Sequence, residues 1–370
     1  MDEQRLHEIL GQNVEVPDMI NKKLEQTYAQ LEGKRRPAKR RGMRPVRVAL
    51  VAAALVAALC ATATAAYNLI RQEVPMDKPQ FVQGVLGGGV PSWEHTEIYD
   101  ELGRLTYWPT LEREPVDMEQ AQALLGDYLP ESGYQWQIED YTFTVEGYVL
   151  DETTGAARFY YSVEHPGGFG EGAVDWAHGL LDYTVYRIGV TFETQSDHEH
   201  PWFSRRAYVD VERSTEEKLC IMEAAASNGG WKAEDGLFVN FTVFGETDRD
   251  DDVLSARLEL PGVKSLPAVT AVHPETGELA AAVSAIAVQV DARYAYHEYP
   301  TGAVNEGVDY IALEYADGTT YEVLGSSDGV AHTDYGLYNL NHYLTECPTR
   351  LVDPSQVAAV IVDGQRYEVN

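Results

Sequence analysis

The feature that most constrains this chain is an uncharged apolar run, Val48–Tyr67, which reads VALVAAALVAALCATATAAY. A helix of this length rises about 30 Å, which matches the hydrocarbon core of a bilayer. Leu69 and Ile70 extend the run, and Arg71 ends it. We therefore expect one transmembrane helix over residues 48–70.

Basic residues are concentrated immediately before this run. Residues 34–47 contain eight of them: Lys34, Arg35, Arg36, Lys39, Arg40, Arg41, Arg44 and Arg47. Cations that flank a membrane segment stay in the cytoplasm. We therefore expect these arginines to set the membrane orientation, with a cytoplasmic N-terminus and an external C-terminus. Nucleic-acid binding is another use of such a stretch. Its position beside the membrane favours the topological role, and we expect no direct nucleic-acid partner.

Two other interpretations of the apolar run stay open. A buried helix of a soluble protein can have this composition, but it does not need eight flanking cations. A cleaved signal peptide is also apolar, and Ala61-Thr62-Ala63 has the small-x-small form of a cleavage site. The 47 residues before the run are longer than a usual signal-peptide n-region, which favours a retained anchor.

The net charge changes sign across the run. Residues 1–47 hold eleven Lys and Arg against seven Asp and Glu, whereas the chain as a whole has a net charge of −31. Such a split indicates two different environments. The acidic part disfavours polyanionic ligands, such as teichoic acid, by repulsion.

The basic N-terminal segment contains a candidate binding surface. Its apolar residues recur at spacings of three and four, which places them on one stripe of a helix over residues 17–31: Met19, Ile20, Leu24, Tyr28 and Leu31. A helix this short is marginal alone in water, so the stripe must meet a partner. Membrane lipid and a cytoplasmic protein are equally compatible with the pattern.

Beyond about residue 74, alternating stretches with intervening turn residues predict short strands. They are Tyr141–Val149, Ala157–Val163, Tyr183–Phe192, Ala207–Val211, Leu237–Phe244, Ser255–Leu260, Ala285–Val290, Tyr310–Tyr315, Thr320–Val323 and Val357–Val362. Asp317-Gly318 and Asp363-Gly364 lie between strands and are hairpin signals. This spacing is typical of β-sandwiches of immunoglobulin type.

The fold class that we expect is therefore mainly β, with short cytoplasmic helices, one transmembrane helix and two immunoglobulin-like β-sandwich ectodomains. The segments are 1–47 (cytoplasmic), 48–70 (transmembrane), 74–133 (a lead-in), 134–250 (first sandwich) and 255–370 (second sandwich). The lead-in segment contains one amphipathic helix, Asp117–Tyr128. The polar run 246–252 marks the boundary between the sandwiches.

No motif in the sequence indicates an enzyme, a metal site or a cofactor. Asp197-His198-Glu199-His200 offers an isolated His pair, but no spacing identifies a further ligand, and a solvated loop before Pro201 explains the stretch better than a metal site. Asp248–Asp252 lacks the glycine and distal glutamate of a calcium loop. Gly87-Gly88-Gly89 does not follow a nucleotide-binding pattern. We expect Cys220 and Cys347 to be thiols, because they fall in different sandwiches.

Taken in order, these elements resemble bacterial single-pass membrane proteins of the anti-sigma-factor type, which are found in Gram-positive bacteria and carry immunoglobulin-like extracellular domains of unknown function. The resemblance lies in Val16–Leu31, in the first sandwich around Tyr141–Val163, and in the ending Leu351–Tyr367. It implies that the N-terminal helix binds a sigma factor and that the outer domains sense envelope conditions. The alternative is a cell-surface protein whose sandwiches bind wall, glycan or a partner protein, with no signalling role.

Overall fold

The computed structural model describes residues 72–75, 78–93, 96–99, 105–108, 110–194, 203–227, 231–245, 254–294, 296–298, 304–325, 330–338 and 342–369. The chain is mainly β, with several antiparallel sheets, and Tyr67–Asn370 forms one compact unit. The expected transmembrane run lies outside the described residues. Within them, every helix is too short or too polar to cross a bilayer.

The described α-helices and the first fourteen described strands lie in the first part of this unit. In chain order the elements are β1 (Gln72–Val74), α1 (Lys78–Val85), β2 (Thr96–Tyr99), β3 (Leu105–Trp108), β4 (Thr110–Leu111), α2 (Met118–Leu125), β5 (Gly133–Ile138), β6 (Tyr141–Asp151), β7 (Ala156–Glu164), β8 (Val174–Asp175), β9 (Leu180–Leu181), α3 (Tyr183–Tyr186), β10 (Ile188–Thr194), β11 (Phe203–Val209), β12 (Lys218–Ser227), β13 (Leu237–Val243) and β14 (Leu254–Leu260).

The remaining strands follow without an intervening α-helix in the described part. They are β15 (Ala268–Val272), β16 (Leu279–Ser284), β17 (Val288–Asp291), β18 (Tyr296–Glu298), β19 (Val304–Glu306), β20 (Ile311–Tyr315), β21 (Thr320–Leu324), β22 (Val330–Ala331), β23 (Thr333–Tyr338), β24 (Tyr343–Pro348), β25 (Val357–Val362) and β26 (Gln365–Glu368). Short 3₁₀ turns occupy Ala233–Asp235, Ala292–Tyr294 and Pro354–Gln356.

The larger sheets form two pairs, which we call the first and second modules. The first module has a six-stranded sheet, in the order β1-β5-β6-β7-β12-β11, and a three-stranded sheet, β10-β13-β14. The second module has a five-stranded sheet, β15-β16-β17-β24-β23, and a four-stranded sheet, β21-β20-β25-β26. In each module a single apolar core contains residues from both sheets, so the two sheets pack face to face.

The six-stranded sheet is buried on both faces. Along β12, Leu219 and Ile221 belong to the core of the first module, whereas Cys220 and Met222 belong to a separate apolar layer on the opposite face. Successive residues of a strand point to opposite faces of the sheet. The sequence of β12, KLCIMEAAAS, has apolar residues at both odd and even positions, so both faces are apolar. Helices α1 and α2 and the turn 285–287 of the second module cover that opposite face.

Polar contacts also join the two modules. The carbonyl oxygen of Thr154 accepts hydrogen bonds from Gln289 Nε2 at 2.9 Å and from the Thr345 hydroxyl at 3.0 Å. The backbone N–H of Leu266 donates to the carbonyl of Leu150 at 2.7 Å. Buried polar groups of one module thereby find their hydrogen-bond partners in the other, and these bonds hold the modules together.

Several sequence predictions are confirmed at the level of single elements. The helix expected at Asp117–Tyr128 spans Met118–Leu125, and Asp117 caps it by accepting hydrogen bonds from the N–H groups of Glu119 and Gln120. Asp317-Gly318 connects β20 to β21, and Asp363-Gly364 connects β25 to β26. The last turn needs left-handed backbone at both positions, where φ is 47° and 83°.

Other predictions are wrong. Tyr183–Tyr186 is a helix rather than the start of a strand, because Asp182 caps it and Arg187 ends it in left-handed conformation. Residues 285–287 turn between β16 and β17, with the Ser284 N–H donating to Ala287 O. The strand expected to open the second sandwich, Ser255–Leu260, instead pairs with β13 of the first module.

Candidate functional site

The cytoplasmic residues singled out from the sequence lie outside the described residues. These are the stripe Met19, Ile20, Leu24, Tyr28 and Leu31, and the arginines 35, 36, 40, 41, 44 and 47. Their roles stay predictions. The same applies to the Asp197–His200 and Asp248–Asp252 stretches. The structure instead draws attention to one surface of the first module.

That surface is a groove formed mainly by the segment that connects β7 to β10, with an exposed aromatic ring in each half. Trp176 is 43% exposed and Tyr183 is 51% exposed, which is unusual for rings of this size. One half of the groove includes Trp176 and has a volume of about 610 Å³, and the other includes Tyr183 and is an open, shallow depression of about 500 Å³. Gly172 and Val174 line both halves, so the two form one surface, the Trp176–Tyr183 groove.

A glycine-rich loop forms one wall. Gly168, Gly170 and Gly172 have φ values of 71°, 96° and 84°, which only glycine adopts readily. A side chain at Gly170 would also meet Val185. The loop is held at its base by a hydrogen bond from the Gly168 N–H to the His165 carbonyl, at 2.9 Å. At Gly172 nothing lies within 4 Å of a Cβ position, so the backbone of the wall is open to solvent there.

Trp176 occupies the tip of the short hairpin formed by β8 and β9. The Asp175 carboxylate closes this tip by accepting hydrogen bonds from the N–H groups of Ala177 and His178, at 3.0 and 3.3 Å. Although partial burial favours the neutral acid, these bonds and the contact with the His178 ring lower the pKa of Asp175. The charged carboxylate thus holds the backbone of the tip that carries the indole.

Tyr183 is the first residue of α3, whose N-terminus is capped by Asp182. The Asp182 carboxylate accepts hydrogen bonds from the N–H and the hydroxyl of Thr184, at 2.9 and 2.6 Å. The hydroxyl bond and then the N–H bond lower the pKa of Asp182. The left-handed Arg187, with φ of 50°, ends the helix and turns the chain into β10. This single helical turn orients Tyr183 toward the surface.

A series of ring contacts supports the groove from below. Tyr141 stacks on His165 at 4.5 Å between centroids, His165 lies 6.2 Å from Phe169, and Phe169 lies 5.6 Å from Tyr186. Tyr186 in turn meets Tyr183 edge-on at 6.2 Å. The loop and the helix are therefore anchored to the sheet by the same aromatic cluster.

A buried ion pair lies close to α3. Glu223 on β12 is fully buried, pairs with Arg205 on β11, and accepts a hydrogen bond from the Tyr161 hydroxyl at 3.1 Å. Burial raises the pKa of the Glu223 carboxyl, although Arg205 and Tyr161 oppose that shift. Burial also raises the pKa of Tyr161 and Tyr186, so both hydroxyls stay protonated near neutral pH.

The lining of the groove is acidic. Its charged side chains are Glu171, Asp175, Asp182 and Glu216, and none of the described lining residues is Lys, Arg or His. The groove therefore offers many hydrogen-bond acceptors and repels anions.

A second, smaller cavity of about 210 Å³ lies where the lead-in segment meets the second module. Arg350 crosses it, donating from Nη1 to Glu114 Oε1 at 3.0 Å and lying 3.7 Å above the Tyr321 ring. Arg158 also lines it and donates to the Pro348 carbonyl. The first of these contacts joins the second module to the lead-in segment, and the last joins the second module to the first. We therefore interpret the cavity as a gap between packed segments and not as a binding site.

Comparison with known proteins adds little to this site. No protein-family model matches the chain, and the search of curated proteins found no match. The chain is similar to a solved structure described as the conserved domain protein from Bacillus anthracis, with 14% identity over 62% of this chain and 74% of that chain. The TM-score of 0.34 is too low to support a shared fold or function.

Sequence reasoning missed this groove. The segment His165-Pro-Gly-Gly-Phe-Gly-Glu-Gly172 carried a usable signal, since four closely spaced glycines before an isolated Trp176 indicate a shaped loop rather than a strand. What could not be foreseen is that α3 would present Tyr183 beside it.

Proposed function

We propose that the chain is a membrane-anchored regulator. The cytoplasmic helix binds a sigma factor through the stripe from Met19 to Leu31, and the external unit recognises a ligand in the Trp176–Tyr183 groove and so senses envelope conditions. The assignment of both modules as immunoglobulin-like, and of residues 48–70 as the single membrane span, is part of this proposal.

One observation carries the proposal. Strand β1, Gln72–Val74, pairs with β5 at the edge of the six-stranded sheet. Strand β1 therefore belongs to the sheet from which the groove-forming segment leaves at the end of β7, and that sheet is buried on both faces. Packed β-structure therefore runs from the segment that lines the groove to the residues that follow the expected span, and this continuity supports the proposed coupling between ligand binding and the N-terminal helix.

The sigma-factor half is tested in cells and by affinity capture. A fragment of residues 1–47 should retain a sigma factor, and Leu24→Ser with Tyr28→Ser in the full chain should abolish that capture and change transcription from the promoters of that factor. Lys22→Ser with Gln26→Ser, off the stripe, is the matched control. Failure to capture any sigma factor would count against regulation.

A second candidate is a surface protein that binds an external ligand without signalling, with the N-terminal helix lying on membrane lipid. Trp176 and Tyr183 are both exposed and line one groove, which favours binding in either case, because clustered apolar surface marks interaction sites. Unchanged transcription in the Leu24 and Tyr28 variant, together with loss of ligand binding on Trp176→Ala, supports this second candidate.

A further inference from the structure

We propose that the Trp176–Tyr183 groove binds an uncharged oligosaccharide. This inference rests on the proposed recognition of an external ligand and specifies the chemical class of that ligand. It depends on the two exposed rings, on the acceptor-rich lining and on the local contacts that hold the backbone of the groove.

The rings match the apolar faces of sugar rings. A pyranose presents a face of C–H groups, which packs flat against an indole or a phenol and removes apolar surface from water. Trp176 and Tyr183 lie in adjoining halves of one groove. Two such platforms suit a chain of sugar rings better than a single compact molecule.

The polar lining matches sugar hydroxyls. A hydroxyl donates well to a carboxylate, and each carboxylate accepts at about four lone-pair positions. Asp175 and Asp182 already use some of these positions for Ala177, His178 and Thr184, which fixes their orientation without exhausting their capacity. The exposed backbone of Gly172, where no atom lies within 4 Å of a Cβ position, adds further polar groups to the same surface.

The negative charge of the groove further restricts the class of ligand that it can bind. Four carboxylates with no basic side chain among the described lining residues repel uronic acids, phosphates and other anions. A basic peptide would be attracted, and it is the competing ligand. The rings favour the sugar, because they are flat and exposed instead of forming a pocket for a peptide side chain.

The backbone of the groove is also held by local contacts. The capped helix α3 and the aromatic series from Tyr141 to Tyr183 hold the phenol platform, and the Asp175 turn holds the hairpin tip that carries Trp176. Binding then costs little ordering of the protein, which is how a shallow site gains useful affinity.

The test uses the full-length protein in a detergent without a sugar headgroup, titrated calorimetrically with hexasaccharides. The probes are β-1,4-linked hexamers of glucose, N-acetylglucosamine, xylose and mannose and the α-1,4-linked glucose hexamer, with hexagalacturonate and hexalysine as charged comparisons. At least one uncharged hexamer should bind with an affinity nearly independent of salt. Trp176→Ala and Tyr183→Ala should each weaken it about tenfold or more, which corresponds to about 1.4 kcal/mol.

The matched control is Phe244→Ala, since Phe244 is 49% exposed but does not line the groove. It should change the affinity less than twofold, and Trp176→Tyr should retain most of the binding. Thermal unfolding of each variant verifies that it is folded, which is expected because both groove rings are at the surface.

Two results overturn the inference. One is that no uncharged hexamer binds. The other is that hexalysine binds, weakens with Glu171→Gln, Glu216→Gln and added salt, and is indifferent to Trp176→Ala. Neither result affects capture of a sigma factor by residues 1–47, so failure of this inference is distinguishable from failure of the proposed regulator.

Discussion

The Tyr161 hydroxyl donates a hydrogen bond of 3.1 Å to the carboxylate of Glu223, and both side chains are buried in the core of the first module. Arg205 provides the balancing charge. The pair interacts electrostatically with Tyr183 and Tyr186 of α3 and therefore lies close to one half of the Trp176–Tyr183 groove. A polar contact inside an apolar core thus supports the surface on which the proposed ligand binds.

Breaking this pair from one side should destabilise the protein strongly. Glu223→Leu leaves Arg205 without its carboxylate in a largely buried place, and we expect a loss of about 3–5 kcal/mol in the free energy of unfolding. The double variant Glu223→Leu with Arg205→Met should recover most of that loss, because the unpaired charge is gone. Chemical denaturation measures both, and equal destabilisation of the single and double variants would contradict the explanation.

The second module should lose stability as pH rises through neutrality. Burial raises the pKa of Glu346 from its ordinary value of 4.5 to about 7, while a hydrogen bond with the Thr333 side chain opposes the shift. A raised acid pKa means that the native state binds the proton more tightly than the unfolded state. The favourable contribution is full below about pH 4.5, falls as pH rises to about 7, and is absent above that.

Glu346→Gln isolates this effect, because it removes the charge and keeps the shape. The variant should be more stable than the parent at pH 8, by up to roughly 3 kcal/mol, and nearly equal to it at pH 4. Unfolding free energies at both values provide the measurement. A difference that does not change with pH would show that Glu346 is not the responsible group.

Helix α1 should be sensitive to a single added methyl group on β6. A Cβ at Gly147 would collide with the Phe81 ring, which packs against the strand. Gly147→Ala should therefore cost about 1–3 kcal/mol through overpacking. In the background of Phe81→Ala, which removes the ring, the same change should cost far less, so a double-mutant cycle reveals the coupling. Additive costs would mean that the ring is not the obstacle.

Cys220 and Cys347 should be unreactive in the native protein. Both thiols are buried, no disulfide joins them, and burial raises the pKa of Cys220 to about 11. Thiolate is the reactive form, so neither side chain should react with a thiol reagent at pH 8 until the protein unfolds. Counting reactive thiols in a Cys60→Ser background, with and without denaturant, is the test. Rapid native labelling would show that the layer between the modules opens.

Local chemistry accounts for the elements that were predicted well. Strand β25 coincides with the predicted Val357–Val362, and the adjoining Asp363-Gly364 turn follows from residues that tolerate left-handed backbone. Asp117 marks the start of α2 because its carboxylate reaches N–H groups two and three positions away. In each case the interacting atoms lie within a few residues of each other, and a sequence pattern can record such contacts.

The amino-acid sequence by itself therefore determined the mainly β character, the turns and caps, and the separation of a basic segment from an acidic region by an apolar run. The tertiary structure alone decided that β14 pairs with β13, that Glu223 meets Arg205 and Tyr161, and that Trp176 and Tyr183 flank one groove. Alternation along a strand specifies which face is apolar but not which strand lies beside it. Those pairings form because segments far apart in the sequence bury apolar surface against each other. A local sequence pattern does not record which segments will meet.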